Sequence, residues 1–169
     1  MAKIRLLVAE DSLTVRKHLV EVASSDPDIE VVGEARNGRE AVELCQRLRP
    51  DVITLDMVMP GMTGLEATEE IMGYCPTPIL IVSASFNRGE LHKTYEALAA
   101  GAVDVLDKPR GDSTDERWAR TFLSTVKLVS RIKVITHPRA KLAAARRPVP
   151  PPAPDPQAGR YDLVVIGAS

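Results

Sequence analysis

Five polar residues of this 169-residue chain stand at or just beyond the ends of apolar runs: Glu10 and Asp11, Asp56, Ser83 and Lys108. Singly, each has an ordinary role. Asp11 or Ser12 can cap a helix, Asp56 can solvate a loop, Ser83 can satisfy a backbone group, and Lys108 can sit in water. If the apolar runs are neighbouring strands of one sheet, all five side chains share an edge. Three carboxylates there repel one another unless a cation lies among them, so the cluster predicts a hard divalent metal held by oxygens. Mg²⁺ suits a small open site, because it keeps several waters and binds through a few carboxylates plus a phosphate; the loops lack the ligand alternation of a calcium-binding EF-hand. With that charge neutralised and Lys108 as a second cation, Asp56 becomes a nucleophile toward phosphorus that forms an aspartyl phosphate. Ser83 is then placed to donate a hydrogen bond to a phosphoryl oxygen.

The elements that must position these groups are legible in hydrophobic period and punctuation. Residues 4–9 form a compact apolar run that stops at the two acids, and Ser12 offers an N-cap for a helix carrying Val15, Leu19, Val22 and Ala23. Asp26-Pro27-Asp28 breaks it, residues 29–35 read as a second strand, and Asn37-Gly38 turns. Ala41, Val42, Leu44, Cys45 and Leu48 then recur at helical spacing before Pro50. The run Val52-Ile53-Thr54-Leu55 reads as a buried third strand that delivers Asp56 into a loop opened by Pro60 and Gly61; Thr63 is a candidate cap for a helix over 65–72. Beyond Pro76 and Pro78 come a fourth strand ending at Ser83, a helix over 90–100 and a fifth strand over 102–106 closed by Asp107-Lys108-Pro109. A helix over 114–135 shows Trp118, Phe122, Val126 and Val129 on one face. Five strands alternating with five helices predict an α/β fold: a parallel sheet covered on both faces, with its ligand site beyond the carboxyl ends of the strands where the strand order reverses.

Composition narrows the partners. Lys and Arg total 22 against 23 Asp and Glu, a balance with no nucleic-acid footprint and no membrane-attracting field. The apolar start is interrupted by Arg5 and stops at Glu10, too short for a signal peptide or a membrane span, so a cytoplasmic location is expected. Cys45 and Cys75 have neither paired spacing nor a nearby His for a zinc site and are expected to be isolated reduced thiols. Seven of the 13 prolines fall in the last third, six of them between 148 and 156. There a basic, Ala-rich piece over 139–147 and a proline run over 148–156 read as an extended linker, spanning 136–160. Residues 161–169 then begin a new buried strand and a glycine turn, Val164-Val165-Ile166-Gly167-Ala168-Ser169.

Two rival chemistries fit less well. A flavodoxin-type site needs a hydroxyl- and glycine-rich phosphate cradle after the first strand, where Glu10 and Asp11 would repel an FMN phosphate. A haloacid-dehalogenase-type phosphatase carries a second acid two residues after its nucleophile, where this chain has Val58, leaving no general acid for turnover.

The acidic pair Glu10-Asp11, the acceptor Asp56 with Met57 and Pro60-Gly61, Ser83-Ala84, Ala100-Gly101-Ala102 and Lys108-Pro109 together resemble the receiver domain of two-component response regulators. The resemblance implies a flavodoxin-like (βα)5 doubly wound parallel sheet of strand order 2-1-3-4-5 over 1–135. It also implies Mg²⁺ held by Asp11, Asp56 and the Met57 carbonyl, with Glu10 acting partly through water, a sensor histidine kinase as phosphodonor, and a cis peptide at Lys108-Pro109. The chain departs from the family at Val105, where a Tyr or Phe is frequent. Coupling through Ser83 is therefore implied more firmly than coupling through an aromatic switch. A receiver, a proline-containing linker and Gly-Ala-Ser together resemble the chemotaxis protein-glutamate methylesterases, with Ser169 matching the esterase nucleophile. That implies a methylesterase domain beyond these residues and chemoreceptors as further partners. The chain as it stands lacks the His, Asp and oxyanion loop of an esterase. The alternatives are a free-standing receiver that acts by binding, and a receiver fused to a dinucleotide-binding domain, since Asp-Leu-Val-Val-Ile-Gly-Ala also begins many flavoproteins.

Overall fold

The computed structural model describes residues 2–84, 88–110 and 115–136. The order of elements is β1 (Ile4–Ala9), α1 (Leu13–Ser24), β2 (Ile29–Ala35), α2 (Gly38–Leu48), β3 (Val52–Leu55), α3 (Gly64–Tyr74), β4 (Ile79–Ser83), α4 (Arg88–Ala99), β5 (Asp104–Asp107) and α5 (Glu116–Ser130). The strands form one parallel sheet in the order β2-β1-β3-β4-β5, the flavodoxin-like (βα)5 arrangement expected from the sequence. β1 lies between β2 and β3, so the strand order reverses beside its carboxyl end. A ligand crevice belongs there.

Side-chain alternation along the strands builds two cores. Leu6 and Val8 of β1 face α1 and α5, where they join Leu19, Val52, Leu80, Val82, Phe122, Val126 and Val129. Leu7 and Ala9 point the other way, into a core with Ile53, Leu55, Ile79 and Ile81 that α2, α3 and α4 cover. A parallel sheet buried on both faces needs such apolar strands, and all four residues of β3 are buried. Phe122 is fully buried; truncating a buried Phe to Ala typically costs about 3–5 kcal/mol.

Caps fix where the helices start. The Ser12 hydroxyl accepts from the Val15 N–H at 3.4 Å, and the Asn37 side chain accepts from the Glu40 N–H at 2.8 Å. Asn37 thus starts α2 as its N-cap. Thr63 and Glu66 form a reciprocal capping box on α3, and Asp115 accepts from the Trp118 N–H at 3.0 Å. Two boundaries differ from the sequence expectation. Ala102 lies in the turn that caps α4 instead of opening a strand, because its N–H donates to the Ala97 carbonyl, and β5 begins at Asp104. The last helix stops at Ser130 instead of 135, since its face runs off the sheet after Val129; Ile132 and Ile135 are exposed.

A third difference concerns the cysteines. Both are free and buried, yet they are not isolated: their sulfurs lie 3.2 Å apart, because α2 and α3 pack side by side on one face of the sheet. The linker over 136–160 and the segment 161–169, Ser169 included, fall outside the described residues except for the exposed Thr136.

Candidate functional site

Parallel pairing carries the ends of β1, β3, β4 and β5 to one edge. The Asp56 N–H donates to the Ala9 carbonyl at 3.0 Å and the Lys108 N–H to the Ser83 carbonyl at 3.0 Å, so the ladder extends one residue past the strands and sets each side chain beside its neighbour. All of Glu10, Asp11, Asp56, Ser83 and Lys108 meet at this edge. Glu10, Asp56 and Ser83 are buried, and Asp11 is exposed. One carboxylate oxygen from each of Glu10, Asp11 and Asp56 lies within 4.8 Å of the other two.

Lys108 reaches into this cluster. Its Nζ sits 2.9 Å from Asp56 Oδ2, 3.0 Å from Glu10 Oε2 and 3.2 Å from Glu10 Oε1. The second Asp56 oxygen accepts from the Val58 N–H at 3.2 Å, and Glu10 Oε1 accepts from the Ser12 N–H at 3.1 Å. Glu10 Oε2 is within ion-pair distance of Lys108 but off the direction of any hydrogen bond, which leaves a buried carboxylate oxygen without a hydrogen-bond partner. That oxygen has the Lys108 charge beside it at 3.0 Å but no directed hydrogen bond, so its lost hydration is only partly replaced.

The charges respond to this setting. Burial, then the neighbouring Asp56 charge, push Glu10 up to about 7 from an ordinary 4.5, against the opposing pull of Lys108. Asp56 is raised by burial and to a lesser degree by Asp11, with Lys108 and the Val58 N–H acting in the opposite sense. Burial alone would lower Lys108, but the hydrogen bond and charge of Asp56 together with Glu10 outweigh it and hold the ammonium above its ordinary range. Two acids are therefore desolvated while one lysine stays charged between them. Clustered carboxylate oxygens of this kind could hold a hard divalent cation, since burial and mutual repulsion oppose the ionisation of Glu10 and Asp56 and a further positive charge would relieve both.

Several supporting residues carried little or no sequence signal for their roles. Arg16, buried on α1, donates from Nη1 to the Glu10 carbonyl at 2.9 Å and from Nε to Glu34 at 3.1 Å, locking the turn that bears the acids. Gly64 abuts the Asp56-Met57 peptide: a Cβ there would overlap the Asp56 carbonyl oxygen and stand 2.7 Å from Met57 Cα. Its N–H donates to the Met57 carbonyl at 3.1 Å. A glycine at the first position of a helix that already has a good cap is the one trace of this contact in the sequence. The Trp118 indole N–H donates to the Asp107 carbonyl at 2.8 Å and its ring stacks on Phe122, tying the residue before Lys108 to α5. Lys108-Pro109 is trans, unlike the cis bond implied by resemblance; no peptide among the described residues is cis. Proline tolerates either isomer within about 0.5–1 kcal/mol, and the lysine is already placed by its own N–H and its ion pairs.

An acidic cluster bridged by a lysine at the switch point of a 2-1-3-4-5 sheet defines the class: the chain belongs to the response regulator receiver domain family, whose model matches residues 6–115. Within that class, the likeness runs to the protein-glutamate methylesterase/protein-glutamine glutaminases. The chain is 44% identical over 170 residues to such a protein from Anaeromyxobacter dehalogenans (98% of this chain, 48% of the relative) and 46% identical over 155 residues to one from Myxococcus xanthus (90% and 42%). It spans about half the length of the curated relatives it matches. Among solved structures, the response regulator domain of Thermotoga maritima CheB is 40% identical with a TM-score of 0.68, covering 78% of this chain and 98% of that one. No helix among the described residues is long and apolar enough to cross a membrane.

Proposed function

We propose that the chain is the phosphorylation-controlled regulatory part of a chemotaxis protein-glutamate methylesterase: a receiver over 1–135, a linker over 136–160, and the first strand and nucleophile turn of the hydrolase over 161–169. The observation that carries the reading is Lys108 Nζ bridging Asp56 and Glu10 inside the three-acid cluster. Asp56 is the phosphoacceptor. One of its oxygens attacks the phosphorus of a phosphohistidine on a sensor kinase; the P–O bond forms, the P–N bond breaks, and the imidazole leaves with the electron pair. Mg²⁺, when bound, neutralises phosphoryl oxygens and brings them to the carboxylate. Asp11, Asp56 and the Met57 carbonyl would hold it, Glu10 acting partly through water. Lys108 gives up its pairing with Asp56 to meet a phosphoryl oxygen, and Ser83 turns its hydroxyl toward another. Gly64 keeps room for the peptide that carries the acceptor.

Similarity over 98% of the chain extends past the receiver match into the tail, which favours a hydrolase over a dinucleotide-binding domain or a free-standing receiver. By that reading Ser169 is the ester-cleaving nucleophile of a domain completed further on, its substrates are glutamyl esters on chemoreceptors, and the protein works in the cytoplasm. Acetyl phosphate with Mg²⁺ should phosphorylate the chain, and Asp56→Asn should abolish incorporation. Equal incorporation in the two would refute Asp56 as acceptor.

A further inference from the structure

The other cluster of reactive side chains lies at the far ends of α2 and α3. Cys45 and Cys75, thirty positions apart in sequence, present their sulfurs to each other at 3.2 Å. Cys45 is fully buried and Cys75 only 2% exposed. Their surroundings differ. Cys45 Sγ also contacts the Thr77 hydroxyl at 3.4 Å, and burial pushes its thiol up to about 12. Cys75 Sγ instead receives the Arg49 guanidinium, with Nη1 at 3.5 Å. Arg49 closes α2 in the left-handed region, with φ of 50°, a conformation that disfavours L side chains and that glycine or asparagine usually fills. Its carbonyl is held by the Arg5 guanidinium at 2.9 Å. The chain thus holds an arginine in an unfavourable backbone conformation, and its cation lies against one of two touching sulfurs. Burial keeps the Cys45 thiol protonated, so the first attack is assigned to Cys75, the sulfur with the Arg49 guanidinium beside it.

We propose that Cys45 and Cys75 form a redox modification site whose oxidant is a small peroxide and whose product is a reversible disulfide stapling α2 to the end of α3. Burial sets the oxidant by size: with Cys45 fully buried and Cys75 2% exposed, a tripeptide disulfide is excluded, and a peroxide no larger than two oxygen atoms needs the smallest local opening to reach Cys75. The Cys75 thiolate attacks one peroxide oxygen, the O–O bond breaks, and the departing hydroxide takes up the proton released by the Cys75 thiol and leaves as water. Cys75 is now a sulfenic acid. Cys45 Sγ attacks the Cys75 sulfur, the S–O bond breaks as the S–S bond forms, and the hydroxyl departs with the Cys45 proton as a second water. Two thiols lose two electrons and the peroxide gains them. The sulfurs need to close by only about 1 Å to reach the bond length of about 2.05 Å. The inference stands apart from the phosphorylation reading, since no residue is shared between the two sites.

The test is intact-mass spectrometry of the reduced chain, treated with hydrogen peroxide and then with an alkylating agent. The expected product has lost the mass of two hydrogen atoms, is not alkylated, yields a Cys45–Cys75 linked peptide and returns to the dithiol with dithiothreitol. Cys45→Ser should stop at a Cys75 sulfenic acid that dimedone traps, whereas Cys75→Ser should oxidise at Cys45 at least tenfold more slowly. Cooperative urea unfolding confirms that each variant is folded, and the parent measurement stands without them. Two thiols still open to alkylation after peroxide treatment, oxygen added without loss of hydrogen, or linkage only between two chains would overturn the disulfide. Equal oxidation rates in the two variants would overturn the assigned order.

Discussion

Two lysines in this molecule each hold two carboxylates, at opposite ends of the sheet and with opposite consequences. Lys108 meets Asp56 at 2.9 Å and Glu10 at 3.0 Å; Lys127 meets Asp26 at 2.8 Å and Asp28 at 3.1 Å. The distances are nearly the same, yet Glu10 and Asp56 are pushed up while Asp26 is pulled down by its hydrogen bond to Lys127. The difference is water and the number of buried charges: Glu10 is fully buried beside a second buried acid, whereas the Asp26 side chain keeps 14% of its surface in water and its neighbour Asp28 keeps 70%. At the surface a partner adds a little to a well-solvated charge, but inside the fold a single lysine cannot make up the lost hydration of two carboxylates. A pair of acids left short of positive charge is poised to take up a cation, and a satisfied surface triad is not.

The largest expected break in this contrast is Lys108→Met. It strands two buried acids, and urea unfolding at pH 8 should show a loss of about 3–5 kcal/mol, shrinking toward pH 5 as the acids protonate. Next in size is the pH dependence of the metal-free protein. Glu10 stands at about 7 folded against an ordinary 4.5, so between these values the folded state holds a proton that the unfolded state has released. Stability therefore falls as pH rises through that window, by about 2–3 kcal/mol, and the raised Asp56 acts in the same sense. Urea midpoints measured from pH 4.5 to 7.5 check this, and Glu10→Gln should flatten the slope. Mg²⁺ at the proposed site should flatten it in the parent and much less in Glu10→Gln. The smallest effect belongs to Lys127→Met: a slight shift in the urea midpoint at low salt that disappears in 1 M NaCl. Asp26, lowered when folded, contributes stability above its ordinary 3.8 that is lost as pH falls, opposite in sign to Glu10.

How far these features can be read ahead of the structure depends on their range. Strands of uniform apolar character, ended by acids or by proline, and helices announced by Ser12 and Thr63 follow from local sterics and capping, and they appear where expected. The ends of α5 and β5 do not, because they depend on where the sheet stops offering a surface and on a carbonyl of the preceding helix. The five polar residues of the site were legible because each ends a strand, and parallel sheets collect strand ends. Arg16, Gly64 and Trp118 were not, since their roles lie in contacts across turns that no spacing rule encodes.

The sequence by itself determined which residues would meet at one edge, since five apolar runs alternating with helices leave little choice of topology. Only the tertiary structure decided their electrical state, because desolvation depends on what surrounds a side chain on every side. It also decided that Cys45 and Cys75 touch, since the packing of α2 against α3 is set by side chains thirty residues apart. Short-range order is written in neighbours along the chain, whereas charge and reactivity are set by neighbours in space.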